Sequence, residues 1–367
     1  AIVERNHLDP HIIDEVYMGC ANQAGEDNRN VARMAALLAG LPPEIPALTV
    51  NRLCASGLAA VNLAARAIRA GDGEVYIAGG VESMSRAPYA FSKNTGGGNL
   101  IAYDTALGWR FINPRMEALY GTDPMGVTAE NIAEKYGITR EECDQLALIS
   151  HQRATRASQD GTFEREIVPV EIKSKKGSTF FSKDEHMIPD ASLEKMAKLP
   201  TAFRKGGVVT AANASGLNDA AAAVIIMSKA KALELGLKPL MKLINICAEG
   251  VAPEVMGLGP AVAIPKCLKE AGMKFEDVEY WEINEAFAPQ VIGVGRMLKE
   301  EFGIELDMDK VNVNGSGIGL GHPVGCTALR IVVSLYYELE KQGKTVGGAS
   351  LCVGGGPAMC SLWTREI

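Results

Sequence analysis

One order of elements occurs twice in the 367 residues, once before residue 85 and again after residue 275. In the first copy, apolar Val16 to Met18 precede a polar loop. Val31, Met34, Ala35 and Leu38 follow at helical spacing until Gly40 and Pro42–Pro43 stop the helix. The pattern then predicts a strand at Ala47 to Val50 and a turn Asn51-Arg-Leu-Cys54-Ala-Ser-Gly57. A helix with Leu58, Val61, Ala65 and Ile68 on one face comes next, ended by Gly71, and a buried strand Val75 to Ala78 runs into Gly79–Gly80. The second copy reads as a strand Val278 to Ile283, a helix near Val291 to Glu301, a strand Val311 to Asn314 and a glycine-rich turn. Its last helix carries Leu329, Val332, Val333 and Tyr336 up to Gly343, and a strand Ala349 to Val353 ends in Gly354-Gly355-Gly356. Short apolar strands alternating with amphipathic helices predict parallel sheets covered by helices on both faces, so two copies predict a duplicated α/β core.

From Asn51 to Gly71 is 20 positions and from Asn314 to Gly343 is 29, so the second copy carries nine extra residues at its strand-to-helix turn. That insertion holds His322. Between the copies, residues ~86–205 break the pattern with Gly96-Gly97-Gly98, a capping box at Thr139/Glu142 and a lysine-rich stretch (Lys173, Lys175, Lys176, Lys183), read as an inserted loop domain. The net charge of −7 argues against nucleic acid as partner. No uninterrupted apolar run reaches the ~20 residues of a membrane span. The eight cysteines contain no C-x-x-C pair, which predicts free thiols in a reducing, cytoplasmic compartment. Ala1 to Pro10 reads as the tail of a helix.

Four residues at strand ends or strand-to-helix turns bear on chemistry. Cys54 precedes a helix, where backbone N–H groups and the helix dipole favour a thiolate and predict a pKa below the free value of about 8.5. The competing reading is a small buried core cysteine. His322 lies in Gly315-Ser-Gly-Ile-Gly-Leu-Gly-His-Pro-Val-Gly325, five glycines in eleven residues, where backbone passes close to something. The dinucleotide fingerprint fails there, because Leu320 and His322 stand where glycine is needed and no acidic residue ends the next strand. A base for a nucleophile fits better. His7, His11, His151 and His186 read as surface residues, and no cluster of them suits a metal. Cys352, ahead of Gly354-Gly355-Gly356, suggests a thiol beside exposed N–H donors, with a buried turn cysteine as the alternative. Asn284 closes a strand where open α/β sheets place ligand contacts, and helix capping is its plainer reading.

The blocks Asn51-Arg-Leu-Cys54-Ala-Ser-Gly57, Gly79-Gly-Val-Glu-Ser-Met-Ser-Arg-Ala-Pro88, Asn284-Glu-Ala-Phe287, Gly321-His-Pro-Val-Gly325 and Cys352-Val-Gly-Gly-Gly356 resemble, in order, those of the thiolases, which cleave or form 3-oxoacyl-CoA thioesters. The resemblance spans nearly the whole chain. It implies a duplicated five-layer αβαβα core with an inserted loop domain: an N-terminal half at 1–85, the loop domain at 86–205, a return segment at 206–236 and a C-terminal half at 237–367. By the same resemblance Cys54 matches the acyl-accepting nucleophile, His322 its base, and Cys352 the acid/base for the second thiol or the substrate α-carbon. Asn284 matches the holder of an oxyanion-hole water with His322, and the backbone N–H groups of Cys54 and Gly354 match a second hole. Met125, Phe203, Ser215, Gly216, Met256, Ala286 and Phe287 fall where similar proteins line the pantetheine and acyl tunnel, although Met and Phe are most often core.

Acyl-CoA thioesters are the implied substrates, and the chemistry needs no bound metal or nicotinamide. Family members usually associate, which predicts a homodimer or homotetramer. The lysine-rich stretch is read either as a contact for CoA phosphates or as a solvated face. Pro124 stands where acetoacetyl-CoA-forming members often have histidine, which places the chain nearer the degradative members, and Gly108-Trp-Arg-Phe-Ile-Asn-Pro114 is similar to a segment of 3-oxoadipyl-CoA thiolases. The family's first strand and helix, with an Arg-Thr-Pro segment, have no counterpart here. A second histidine in a His-Gly-Thr-Gly-Thr block, the mark of related 3-oxoacyl synthases, is also missing from the sequence. A catalytically weak acyl-CoA-binding subunit of the same fold is the alternative to an active enzyme.

Overall fold

Val75 and Ile77 face an apolar cluster with Val16 and Ala36, whereas Tyr76 and Ala78, one residue out of phase, face another with Leu58 and Leu329. A strand buried on both sides with a period of two belongs to a sheet covered on both faces. The computed structural model describes residues 1–23, 25–93 and 96–367. Strands β1 (Glu15–Gly19), β2 (Ala47–Val50), β3 (Val75–Ser83) and β4 (Asp219–Met227) form one sheet in the order β2-β1-β3-β4, parallel except for β4. Strands β5 (Lys242–Gly250), β6 (Tyr280–Ile283), β7 (Val346–Cys352) and β8 (Pro357–Thr364) form a second sheet in the order β6-β7-β8-β5. There β6 and β7 are parallel, while β8 runs antiparallel to both of its neighbours.

The central apolar cluster shows how the sheets stack. Helix α2 (Ser56–Ala70) supplies Leu58, Val61 and Ala64, and helix α5 (Val324–Gln342) supplies Leu329, Val332, Leu335 and Leu339. Tyr76 and Ala78 of the first sheet and Met359 and Trp363 of the second enter the same cluster from either side. On the far face of the second sheet, Ala358, Cys360 and Leu362 pack under helices α3 (Gly259–Ala271) and α4 (Ala288–Phe302). Helix α1 (Val31–Leu38) lies on the outer side of the first sheet, with Ala36 against Val16. Helix, sheet, helix pair, sheet and helix pair follow one another as five layers. Both central helices stop at a left-handed glycine, Gly71 at φ +81° and Gly343 at φ +65°, the C-cap chemistry that the sequence signals there.

Two elements differ from the sequence expectation. Strand β3 runs through Gly79–Gly80 to Ser83, because β4 pairs with all nine of its residues. Residues 311–314 do not form a strand: Val311 makes a single bridge to Trp281, and Asn312 turns left-handed at φ +50°. The Asn312 amide then takes over the ladder, accepting from Ile283 N at 2.8 Å and donating to Ile283 O at 2.6 Å. The stretch between the halves holds the helices Met125–Tyr136 and Arg140–Gln159, the second with the expected Thr139/Glu142 capping box. It also holds an exposed hairpin, Val170–Ser174 with Gly177–Phe181, that carries Lys173. In the second sheet β5 covers the outer edge of β8; among the described residues no strand covers the corresponding edge of β4.

Candidate active site

The turn that presents Cys54 is held by its neighbours. Asn51 Oδ1 accepts from Leu53 N at 2.8 Å, which turns Leu53 left-handed at φ +45°. Ser56 Oγ accepts from Arg52 N at 2.8 Å and donates to Leu53 O at 2.7 Å. Cys54 therefore sits in a single tight turn, Leu53–Ala55, at the mouth of α2. The corresponding mouth of α5 carries His322, whose backbone N donates to Asn218 Oδ1 at 3.1 Å after left-handed Gly321.

The two mouths abut. A Cβ on Gly80 would lie 2.7 Å from Gly325 O and 3.2 Å from Gly57 Cα, and a Cβ on Gly57 would lie 3.2 Å from Gly325 O. Only bare backbone allows this approach. The turn at Leu53–Ala55 consequently packs on both α5 and β7. Buried Glu82 pins the arrangement by accepting from Gly325 N at 2.8 Å and from Ala21 N at 2.9 Å.

At the end of β7, Cys352 is buried, and Gly354 comes up against the Cys54 turn, where a Cβ would lie 3.2 Å from Leu53 Cδ1. The backbone N–H groups of Gly354 and of Cys54 itself point at the Cys54 sulfur, and Cys352 is close enough for a charge on Cys54 to raise it further. Burial nevertheless outweighs the two donors and pushes the Cys54 thiol up to about 11. This overturns the expectation of a depressed pKa: the turn supplies two N–H donors, but the fold around it removes more water than they replace.

His322 is moved the other way, down to about 4, first by burial and then by the Arg330 guanidinium. Its Nδ1 lies 2.7 Å from Thr327 Oγ1, which also lies 2.9 Å from Pro323 O. A hydroxyl has one proton, and the Pro323 carbonyl can only accept it. Thr327 therefore accepts from His322 Nδ1–H, and the Nε2 lone pair is left as the base.

Asn284 follows β6 with its N donating to Ser350 O at 3.0 Å, and neither polar atom of its fully buried amide has a protein partner. The glycines around His322 show what their backbone approaches. A Cβ on Gly317 would lie 2.8 Å from Asn284 Oδ1 and 2.4 Å from Glu285 O, while Gly315 and Gly319 press on Ser150 O of the helix Arg140–Gln159. They close the loop against protein.

Four of the seven expected tunnel residues pack with Cys352. Met256, Ala286 and Phe287 form an apolar cluster with Cys352, and Met125 packs on it. Phe203 meets Phe287 edge-on at 6.1 Å, and Ser215 N donates to Ala286 O at 2.9 Å. Gly216 lies against the His186 ring, where a Cβ would come within 2.2 Å of Cε1.

Two of the supposed surface histidines are not on the surface. His151 is buried, with Nε2 at 3.2 Å from Ala212 O and Nδ1 accepting from Ile188 N at 3.3 Å, and His186 is half-buried beside it. The chain from 186 to 212 folds back over the helix that carries His151, a tertiary event its sequence neighbours do not announce. Thr327 and Glu82 also belong to the site, on His322 Nδ1 and Gly325 N respectively. The hydroxyl five residues after His322, at the first turn of its helix, is the sequence signal for Thr327.

Among the described residues no helix is long and apolar enough to cross a membrane, and no group of three or more His, Cys, Asp or Glu side chains is arranged to hold a metal ion.

Residues 1–230 match the family model described as thiolase, N-terminal domain, and residues 237–365 match thiolase, C-terminal domain. The chain belongs to the thiolase family. This thiolase is 47% identical over 367 residues to the beta-ketoadipyl-CoA thiolase of Escherichia coli, covering 99% of this chain and 90% of that one. It is 51% identical over 360 residues to the protein of that name from Pseudomonas knackmussii, covering 97% and 88%. The solved acetyl-CoA acetyltransferase of Syntrophomonas wolfei superposes with a TM-score of 0.93 at 57% identity, covering 100% of this chain and 90% of the other. Human mitochondrial 3-ketoacyl-CoA thiolase in complex with CoA superposes at 0.91 with 38% identity, covering 100% and 89%. The thiolase is thus an acyltransferase with the mixed α/β fold of that family.

Proposed function

We propose that Cys54 is the acyl-accepting nucleophile of this thiolase, His322 its base and Cys352 the second acid/base. The observation that carries this reading is the meeting of the Cys54 sulfur with the Gly354 and Cys54 N–H groups and with Cys352, beside a turn packed on the helix that begins after His322. His322 Nε2 takes the Cys54 proton as the sulfur attacks C3 of a 3-oxoacyl-CoA. The C2–C3 bond breaks, its electron pair leaves as the enolate of acetyl-CoA, and Cys352 protonates that carbon. The Cys352 thiolate then takes the proton of incoming CoA, whose sulfur attacks the acyl carbonyl and displaces the Cys54 thiolate, which recovers its proton from His322. Donors at Cys54 and Gly354 suit the oxyanion of the acyl carbonyl, and His322 with the unpartnered Asn284 amide suits the enolate oxygen. Met125, Phe203, Ser215, Gly216, Met256, Ala286 and Phe287 line the pantetheine approach in this reading.

For substrate we propose a 3-oxoadipyl-type CoA thioester rather than the fatty-acyl chains of β-oxidation. Support comes from the relatives named beta-ketoadipyl-CoA thiolase and from the segment Gly108–Pro114. A cytoplasmic homodimer or homotetramer is the proposed assembly.

The test compares kcat/KM for acetoacetyl-CoA, longer 3-oxoacyl-CoA thioesters and 3-oxoadipyl-CoA, with iodoacetamide labelling alongside. Preference for 3-oxoadipyl-CoA and first labelling of Cys54, protected by acetyl-CoA, support the reading. Labelling spread over all eight cysteines, or no thiolysis of any member, overturns it.

A further inference from the structure

Arg330 lies on α5 three residues beyond Thr327, the residue that orients His322. Its Nη1 stands 3.9 Å from Glu282 Oε2, with the Glu282 side chain 1% exposed and that of Arg330 21% exposed. Both Nη atoms and Glu282 Oε2 are buried and make no hydrogen bond within the protein, so the pairing is electrostatic. Glu282 belongs to β6, which ends at Ile283, so it stands two residues before Asn284, the first residue after the strand. The pair therefore spans from the helix behind His322 to the strand that delivers Asn284.

The groups facing Arg330 come from every element around it. Glu282 faces it from β6, Glu166 and Asp184 from the segments flanking the exposed hairpin, and Glu338 lies near Glu166 on α5 itself. Ser334, one turn further along α5, donates to Glu166 at 3.0 Å. Burial pushes Glu166 up to about 7 and Glu282 up to about 8, and raises Asp184 as well. Glu166 and Glu282 are thus partly protonated near neutrality, whereas a guanidinium keeps its charge. The positive field at His322 is left incompletely cancelled. Cys326, between them on the helix, feels the same charge.

We propose that Arg330 is a positioning residue for acyl transfer: held against Glu282 between α5 and β6, its permanent charge keeps the His322 imidazole unprotonated and fixed relative to Asn284. This rests on His322 serving as the base for Cys54.

The test is the pH dependence of kcat/KM from pH 4.5 to 8 for the full chain, with the pH dependence of Cys54 alkylation by iodoacetamide as a second readout. Arg330→Met is expected to move the acid limb up by about one pH unit, so that at pH 5 it runs roughly twofold below its own plateau. Arg330→Lys, which keeps the charge, is expected to hold the limb at the wild-type position whatever its plateau. Where Arg330→Met does not fold because Glu282 is left unpaired, the double variant Arg330→Met/Glu282→Gln is expected to show the same upward move. A loss of equal size at every pH, or a limb that moves as far in Arg330→Lys as in Arg330→Met, overturns the proposal. His322→Asn separates the two levels. If it retains turnover, the assignment of the base is wrong and the proposal goes with it; if it abolishes turnover while Arg330→Met leaves the limb in place, only the proposal fails.

Discussion

With the Cys54 thiol at about 11, roughly one molecule in ten thousand carries a thiolate at pH 7. A resting ion pair with His322 is equally disfavoured, since burial holds that imidazole near 4. Both groups are neutral at rest, and the proton must pass to Nε2 as sulfur bonds to carbon. The fixed tautomer then matters, because a proton on Nε2 would leave nothing to receive it. Thr327→Val removes the acceptor of the Nδ1–H bond while keeping the side-chain shape. It should lower kcat/KM by about tenfold, the equivalent of about 1.4 kcal/mol for one buried donor left unpaired, and Thr327→Ser should recover most of it. Steady-state kinetics of the two variants decides the matter; equal rates for Val and Ser would show that the hydroxyl does not set the tautomer. Cys54→Ser tests the sulfur itself and should lose at least about a thousandfold in kcat, since serine keeps the turn but is far harder to ionise.

At the level of elements, the site depends on two helix mouths meeting through glycine. Gly80→Ala places a Cβ 2.7 Å from Gly325 O, 3.0 Å from Cys326 Cα and 3.2 Å from Gly57 Cα, all of them backbone with no rotamer to relieve the clash. The mouths must separate, and Cys54 and His322 move with them. Gly71→Ala, at the far end of α2, meets nothing within 4 Å and bears only the left-handed φ, about 1–2 kcal/mol. Gly80→Ala is therefore expected to cost more thermal stability than Gly71→Ala and to lose turnover even where it folds, whereas Gly71→Ala keeps its kcat. Similar melting temperatures and rates in the two would contradict the abutting geometry. Strands β1 and β2 and both central helices were legible because their periodicity and glycine stops are local. Residues 311–314 were not, because an Asn312 side chain replaces the main-chain ladder. His151 was misplaced for a related reason, its cover arriving from chain some sixty positions away. The positions of Cys54, His322 and Cys352 at strand and turn ends could be read from the chain, but the ionisation of Cys54 could not, since desolvation exists only once both halves have closed on the sulfur.

Across the whole molecule, burial of so many thiols makes stability depend on alkalinity. Cys54 is raised to about 11 and Cys20, Cys143 and Cys326 to about 12, while Cys247, Cys267 and Cys352 are raised as well, chiefly by loss of water or by sharing hydrogen bonds with one another. A folded-state pKa above the unfolded one means that the unfolded chain releases its proton first. The associated stability is complete below the unfolded pKa of about 8.5 and drains away as pH climbs above it, by up to about 1.4 kcal/mol per thiol per pH unit. Glu166 and Glu282, raised to about 7 and about 8, push the same way from lower pH. On the acid side His322, His151 and His186 are all lowered, so their contribution is lost as pH falls below about 6.5, where the unfolded imidazoles bind protons that the folded ones refuse. These opposing shifts place the most stable point near neutrality. The urea midpoint, measured under reducing conditions, should therefore fall steeply and reversibly between pH 7.5 and 9.5, and the fall should be shallower by one thiol's share in Cys326→Ala, whose overall midpoint drops for the lost packing. A midpoint that stays level or rises over that interval would mean that the sulfurs are solvated in the native state, and the neutral Cys54–His322 pair from which the acyl-transfer scheme starts would have to be abandoned.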